Sequence, residues 1–223
     1  IIMNYLSILR KKQVDVIHIC SACSTTGIIR DALCVALSHK YHIVFHCHCN
    51  IQDQLKGKTA IRLGKYIFDS VDRILVLNQT SLSYVNKISG RKADKIPNAV
   101  DGSIIQPHSS IAEELKNIVY VGHVKQEKGI REIIDAAREE KDVVFHLIGP
   151  VSDEISRIQA PDNVVFYGRK EHTEAISLMR KADAFLFPSY TEGFSMVMLE
   201  AMASGLPIIA TNVGSNAEMI ETC

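Results

Sequence analysis

Short apolar runs of strand length alternate along this chain with segments whose apolar residues recur at helical spacing. In the first half, Val14–Ile19, His42–Cys47, Arg73–Leu77 and the short Lys95-Ile96 predict strands, and Ile28–Ser38, Gln54–Ser70 and Thr80–Ser89 predict helices. In the second half, strands are predicted at Ile118–Val121, Val143–Ile148, Val164–Tyr167, Ala184–Phe187 and Pro207–Thr211. Helices are predicted near 130–139, 153–159, 172–181 and 195–204. Such alternation predicts parallel sheets with helices on both faces. The stretch from Pro97 to Asn117 contains Pro97, Asn98, Gly102 and Pro107, lacks periodicity and reads as a linker. The expectation is an α/β protein of two doubly wound parallel-sheet domains, residues 1–105 and 106–223. The chain begins Ile1-Ile2 and stops at Glu221-Thr222-Cys223, so both domains are expected to be incomplete pieces of a longer protein.

Composition narrows this picture. With 47% hydrophobic and 22% charged residues among 223, and a mean hydropathy of +0.07, the chain suits a globular core and excludes disorder or a fibrous repeat. No run approaches the ~18 apolar residues of a membrane span. The formal net charge is zero, yet residues 1–100 hold 14 basic and 6 acidic residues, while 101–223 hold 11 and 19. The basic half suits an anionic membrane surface or anionic substrate, but no basic run exceeds Arg10-Lys11-Lys12, and no nucleic-acid partner is expected. Five of the six cysteines fall within the first 49 residues with no secretory signal before them, which points to a reduced cytoplasmic compartment. Cys20, Cys23 and the run His46-Cys47-His48-Cys49 offer metal-ligand types. On a strand, however, alternation sends Cys47 and Cys49 to one face and His46 and His48 to the other, so these four cannot close on one ion and no metal is expected.

Candidate chemistry lies in the loops after strands, where open α/β sheets bind ligands. After Val121 comes Gly122-His123-Val124-Lys125-Gln126-Glu127-Lys128-Gly129 and then a helix, an arrangement suited to an anion. Neither Gly-x-Gly-x-x-Gly nor Gly-x-x-x-x-Gly-Lys-Ser/Thr occurs, against a dinucleotide oxidoreductase or a P-loop nucleotidase. After Phe187 comes Pro188-Ser189-Tyr190-Thr191-Glu192-Gly193-Phe194, followed by a nearly all-apolar segment, 195–204, expected to be buried. Its one charge, Glu200, needs a partner: a structural cation, a backbone amide or ligand hydroxyls. Glu192 and Glu200 lining a crevice beside a helix terminus would suit sugar and ribose hydroxyls.

These residues resemble a known family. Glu192-Gly193-Phe194, then Glu200-Ala201-Met202-Ala203-Ser204-Gly205-Leu206-Pro207, is similar to the donor-site signature of glycosyltransferase family 4, of the GT-B fold. Val121-Gly122, Lys128-Gly129, Leu147-Ile148-Gly149, the run Asn163 to Gly168 and the junction Ile96-Pro97-Asn98-Ala99-Val100-Asp101 follow in the same order. The resemblance implies two Rossmann-like domains and transfer of a hexose-type sugar from a nucleotide-sugar donor to a glycan or lipid-linked acceptor. Anomeric configuration would be retained, and neither metal nor cofactor would be required. Carried over by position, Glu192 would contact the sugar hydroxyls, Gly193 and Phe194 would offer backbone amides, and Glu200 would hold the ribose. Lys128 would neutralise the departing diphosphate. Gly122 and His123 would belong to the phosphate loop, Gly168 and Ser189 would line the nucleotide pocket, and His48 would face the reacting centre. The family's usual Arg after the first loop glycine is His123 here, a weaker cation at neutral pH, and Ala99 stands where the junction usually has Gly. The implied setting is surface polysaccharide assembly at the cytoplasmic face of a membrane, with peripheral contact on anionic lipid. A catalytically silent nucleotide-sugar-binding module and a GT-B nucleotide-sugar 2-epimerase are the competing readings.

Overall fold

A computed structural model describes the chain except for residues 1, 12, 103–111 and 222–223. The expected domain boundary at residue 105 lies outside the described residues. Two compact units are present: Ile1–Asn98 with Glu192–Phe194, and Ala99–Thr191 with Ser195–Cys223. The short Glu192–Phe194 segment, which lies at the start of the donor signature, thus groups with the first unit.

The first unit begins with a helix, α1 (Ile2–Lys11), that the sequence reading did not include. It packs on the next helix, where the Tyr5 hydroxyl bonds Ser38 Oγ and Leu9 accepts a bond from Tyr41 Oη at 3.3 Å. Strands β1 (Val16–Ser21), β2 (His42–Cys47), β3 (Arg73–Val76) and β4 (Asp94–Lys95) pair in chain order and in parallel. Between them lie α2 (Thr25–Leu37), α3 (Ile51–Gln54), α4 (Lys58–Ser70) and α5 (Gln79–Ser89). The helix predicted over Gln54–Ser70 is α4, which begins four residues later, and the short α3 before it was not predicted; between the two, Gly57 has φ +87°. Local chemistry marks the ends: Ser24 Oγ caps α2 by accepting Gly27 N, and Asn78 Oδ1 caps α5 by accepting Ser81 N at 2.8 Å. Inward residues Ile43, Phe45 and Cys47 of β2 pack with Ile28, Ala32 and Val35 of α2 and Ile67 and Phe68 of α4. Full burial of each large side chain stabilises the unit by about 1.5–3 kcal/mol. The opposite face of the sheet leaves Val16, His18 and Cys20 exposed, where covering helices were expected.

The second unit holds β5 (Asn117–Val121), α6 (Ile130–Glu139), β6 (Val144–Ile148), α7 (Asp153–Ser156), β7 (Val164–Gly168) and α8 (His172–Met179). It continues with β8 (Ala184–Phe187), α9 (Met196–Ala203), β9 (Ile208–Ala210) and α10 (Asn216–Glu221). All pairings are parallel and the order is β7-β6-β5-β8-β9. The chain lays strands to one side of β5 and then returns to lay β8 on the other, which is the reversal of a doubly wound sheet. α6 shows why the pattern reads as a helix: Ile130, Ile133, Ile134 and Ala137 are buried at helical spacing while its charged residues face out. Phe145, Leu147, Phe185 and Phe187 fill the interior. No helix among the described residues is long and apolar enough to cross a membrane.

Candidate functional site

The second sheet has its reversal between β5 and β8, the crevice at which open α/β sheets place ligands. Asp183 sets the register of the two strands at their far ends. Its Oδ2 accepts the backbone amides of Lys116 at 2.9 Å and Asn117 at 2.6 Å. At the carboxyl ends, the loops after β5 and β8 are joined. Tyr190 N donates to Glu127 O at 3.0 Å, and Gly129 lies so close to the second loop that a Cβ there would be 2.1 Å from Pro188 O. Gly129 also has φ +72°, so its lack of a side chain is required twice over. Lys128, inside this junction, places Nζ 6.0 Å from the centre of the Phe187 ring, a favourable seat for a cation.

Glycines end three adjacent strands. Gly122 N donates to Ile148 O, and Gly149 N to Gly168 O, each at 2.9 Å. A Cβ on Gly149 would lie 1.8 Å from Gly122 O, so backbone closes tightly on backbone at the rim of the sheet. His123, beside Gly122, is exposed, and its carbonyl accepts Tyr120 Oη at 2.9 Å. Ser189, in contrast, is fully buried, and its hydroxyl donates to Thr191 O at 3.3 Å. Its carbonyl takes Thr211 Oγ1 at 2.5 Å. Ser189 thus shapes the loop from within.

Glu200 has the partner that its burial demands. Oε1 accepts from His172 Nε2 at 2.8 Å, with the Glu200 side chain 13% exposed and that of His172 56% exposed. The sequence offered no sign of His172, which lies 28 positions earlier at the start of α8; the bond arises from tertiary packing alone. The surrounding helix is less buried than its apolar composition suggests. Met198 and Ala201 are buried, whereas Val197, Leu199 and Glu200 are half-buried and Met196 is 41% exposed. Ser195 caps it by accepting Met198 N at 3.3 Å.

The other candidates belong to the first unit. Gly193 O accepts Asn78 Nδ2 at 3.0 Å, and Phe194 O accepts Asn98 Nδ2 at 3.4 Å. A Cβ on Gly193 would meet Cys49 Cα at 2.9 Å. Glu192, at the head of the segment, is half-buried. His48 is exposed, follows β2, and donates its amide to Ser21 O at 2.7 Å. Its ring lies 4.0 Å from that of His46. The alternation read from the sequence holds here: Cys47 and Cys49 are buried on the core side with Cys23, where hydrogen bonding with Cys23 and burial push both thiols up. On the other side, burial and then the His48 and His18 rings hold His46 below the usual imidazole range.

Comparison with known proteins gives these features a family. The description of glycosyl transferases group 1 matches residues 103–222. Over 95% of its length the chain is 30% identical to an uncharacterized 41.2 kDa protein in the cps region of Klebsiella pneumoniae, spanning 64% of that protein. Over 96% of its length it is 28% identical to an uncharacterized glycosyltransferase of Methanocaldococcus jannaschii, spanning 60% of it. The fold is shared with sucrose-phosphate synthase from Thermosynechococcus elongatus, at TM-score 0.78 and 20% identity over 96% of this chain and 60% of that one. It is shared also with Anabaena HepE in complex with UDP, at TM-score 0.77 and 18% identity over 98% of this chain and 64% of that one. The chain thus spans less than two thirds of the length of these relatives, and its fold is the parallel α/β fold of GT-B glycosyltransferases. The match over more than half of its residues shows that the chain belongs to the group 1 glycosyl transferases.

Proposed function

We propose that this chain is the donor-handling part, with some of the acceptor side, of an enzyme that moves a hexose-type sugar from a nucleotide-sugar to a glycan or lipid-linked acceptor with retention of anomeric configuration. The observation that carries the reading is the joined pair of loops at the β5/β8 reversal, with Gly129 against Pro188 and Lys128 between them. A diphosphate seated there would approach the backbone at Gly122 and His123 and meet the Lys128 ammonium. Charge developing on the leaving nucleotide diphosphate would then be stabilised without reorganisation. Glu200 would take ribose hydroxyls through Oε2 while His172 holds Oε1 and fixes the carboxylate plane. Glu192, with the amides of Gly193 and Phe194, would bind the sugar, and His48 would face the reacting carbon. The chemistry proposed needs no metal at the donor. The basic first half suits peripheral work at an anionic cytoplasmic membrane face in surface polysaccharide assembly.

The test is nucleotide release from UDP-, GDP- and ADP-sugars by the protein extended to the length of its relatives. UDP-glucose is the first donor to try, since Anabaena HepE is described in complex with UDP and glucose. Release that is lost in Glu200→Gln and Lys128→Ala supports the reading. Saturable binding without release would make the protein a silent nucleotide-sugar module, and epimerised free sugar would make it an epimerase; either result overturns transfer.

A further inference from the structure

The exposed face of the first sheet carries a group of side chains that the transfer reading leaves unused. His18 and Cys20 stand two residues apart on β1 and so point to one side. Cys20 pairs directly with His46 in the parallel register of β2. The rings of His18 and His46 stack with centroids 5.5 Å apart, and Cys20 Sγ lies 3.9 Å from His18 Nε2. One donor atom from each of the three residues lies within 4.8 Å of the others. His18 and Cys20 are exposed. His46 is only 9% exposed, and its Nε2 is buried with no hydrogen-bond partner among the described residues. A buried imidazole nitrogen left without a partner calls for an explanation, and an unseen ion is one of the standard ones.

We propose that His18, Cys20 and His46 form a binding site for a borderline-soft divalent cation, zinc above all, with solvent in the fourth position. Two imidazoles and a thiolate are the ligand types that zinc takes, while magnesium and calcium need oxygen donors that this trio lacks. Bonds of about 2.0–2.1 Å to nitrogen and about 2.3 Å to sulfur put tetrahedral donors roughly 3.5 Å apart. The Cys20–His18 pair at 3.9 Å is already near that spacing, and the exposed side chains of His18 and Cys20 have room to rotate the remainder. On binding, the Cys20 thiol gives one proton to solvent and both imidazoles ligate in the neutral form. Sequence spacing groups Cys20 with Cys23 and with the His46 to Cys49 run, whereas strand pairing places His18 and Cys20 beside His46. The site adjoins His48, whose ring lies 4.0 Å from that of His46, but metal binding can be read without any transfer activity.

The full chain, stripped of metal with a chelator, is titrated with Co²⁺ followed by absorbance and then back-titrated with Zn²⁺. The expected result is one equivalent bound with a thiolate-to-cobalt charge-transfer band that Zn²⁺ abolishes. Cys20→Ser is expected to remove the band, and His18→Ala to raise the dissociation constant by about 100-fold or more. Since both positions are exposed, the metal-free variants should melt at the wild-type temperature, which separates lost ligation from lost folding. A band that survives in Cys20→Ser would place the metal on the buried thiols and overturn the proposal. So would unchanged affinity in His18→Ala, or no binding by the wild-type chain.

Discussion

His172 Nε2 lies 2.8 Å from Glu200 Oε1, a bond between the first residue of α8 and the middle of α9. It fixes the orientation of the one charged group on an otherwise apolar helix and leaves the second carboxylate oxygen for other partners. A charge-assisted bond to a ligand hydroxyl contributes about 1.5–3 kcal/mol. Glu200→Gln is therefore expected to lower kcat/KM for the nucleotide-sugar by about 10- to 100-fold while moving the melting temperature little. His172→Ala, which frees the carboxylate to rotate, is expected to cost less than Glu200→Gln. Steady-state kinetics on both variants checks the order; equal activity in all three proteins would remove Glu200 from the donor site.

Gly129 and Gly168 have nearly the same positive φ, +72° and +66°, and differ in surroundings. A Cβ at Gly168 meets nothing within 4 Å, whereas at Gly129 it would run into Pro188 O. Gly168→Ala is expected to cost about 1–2 kcal/mol, the left-handed penalty alone. Gly129→Ala is expected to cost clearly more and also to spread the loops around Lys128. Urea unfolding of the two variants side by side reads the difference, and equal losses would show that the loop junction is slack.

Asp31, 1% exposed on α2, accepts Ser21 Oγ at 2.5 Å and Arg30 Nε at 2.8 Å. Ser21 Oγ in turn accepts Cys23 N at 2.9 Å, so one carboxylate holds the end of β1 to the helix that follows. Asp31→Ala leaves a buried hydroxyl donor unpaired and is expected to destabilise the protein by about 2–4 kcal/mol. Asp31→Asn, which keeps an acceptor for Ser21, should lose less. Thermal melts of the two variants test this ranking.

Burial lowers the His146 pKa against the opposing pull of Asp183. Its nitrogens pair with Tyr167 Oη at 3.0 Å and Asn117 Oδ1 at 3.1 Å. An unfolded chain with an ordinary imidazole near pH 6.5 binds a proton that the folded state resists. This contribution to stability is whole above about pH 6.5 and declines as pH falls below it toward the folded value. The loss of stability between about pH 7.5 and pH 5 should thus be smaller in His146→Asn than in wild type. Unfolding curves at the two pH values measure it; an equal loss in both proteins would refute the assignment.

Much of this architecture is legible without coordinates, because the core-facing positions of each parallel strand write themselves as short apolar stretches bounded by polar residues. His42–Cys47 and Ala184–Phe187 match their predicted bounds. The misses have physical causes. Helix α1 has no acidic residue in its first turn to mark its start, and Gly57, in the break at Leu55–Gly57, has a positive φ. At the candidate site, the glycine-bounded loops and the two glutamates stand out as residue types at strand ends. His172 does not, because its meaning comes from what lies beside it in space. Ser189 stands out for its position but is buried, its hydroxyl taken by Thr191. The grouping of His18 with Cys20 and His46 is likewise a product of tertiary structure, because parallel pairing joins residues 26 positions apart, Cys20 with His46.

The strand order of the second sheet also governs how that unit must assemble in time. Its other pairings join strands that follow one another along the chain, such as Asn117 with Val144 and Phe185 with Ile208. The β5/β8 pairing instead joins Ile118 to Ala184, across all of β6 and β7. Closing that longer loop carries the larger entropic cost, and non-local contacts of this kind slow folding. The crevice proposed to hold the nucleotide is therefore created by the least local contact of its sheet, so a nascent chain gains its ligand-binding edge only after residue 187 has been synthesised.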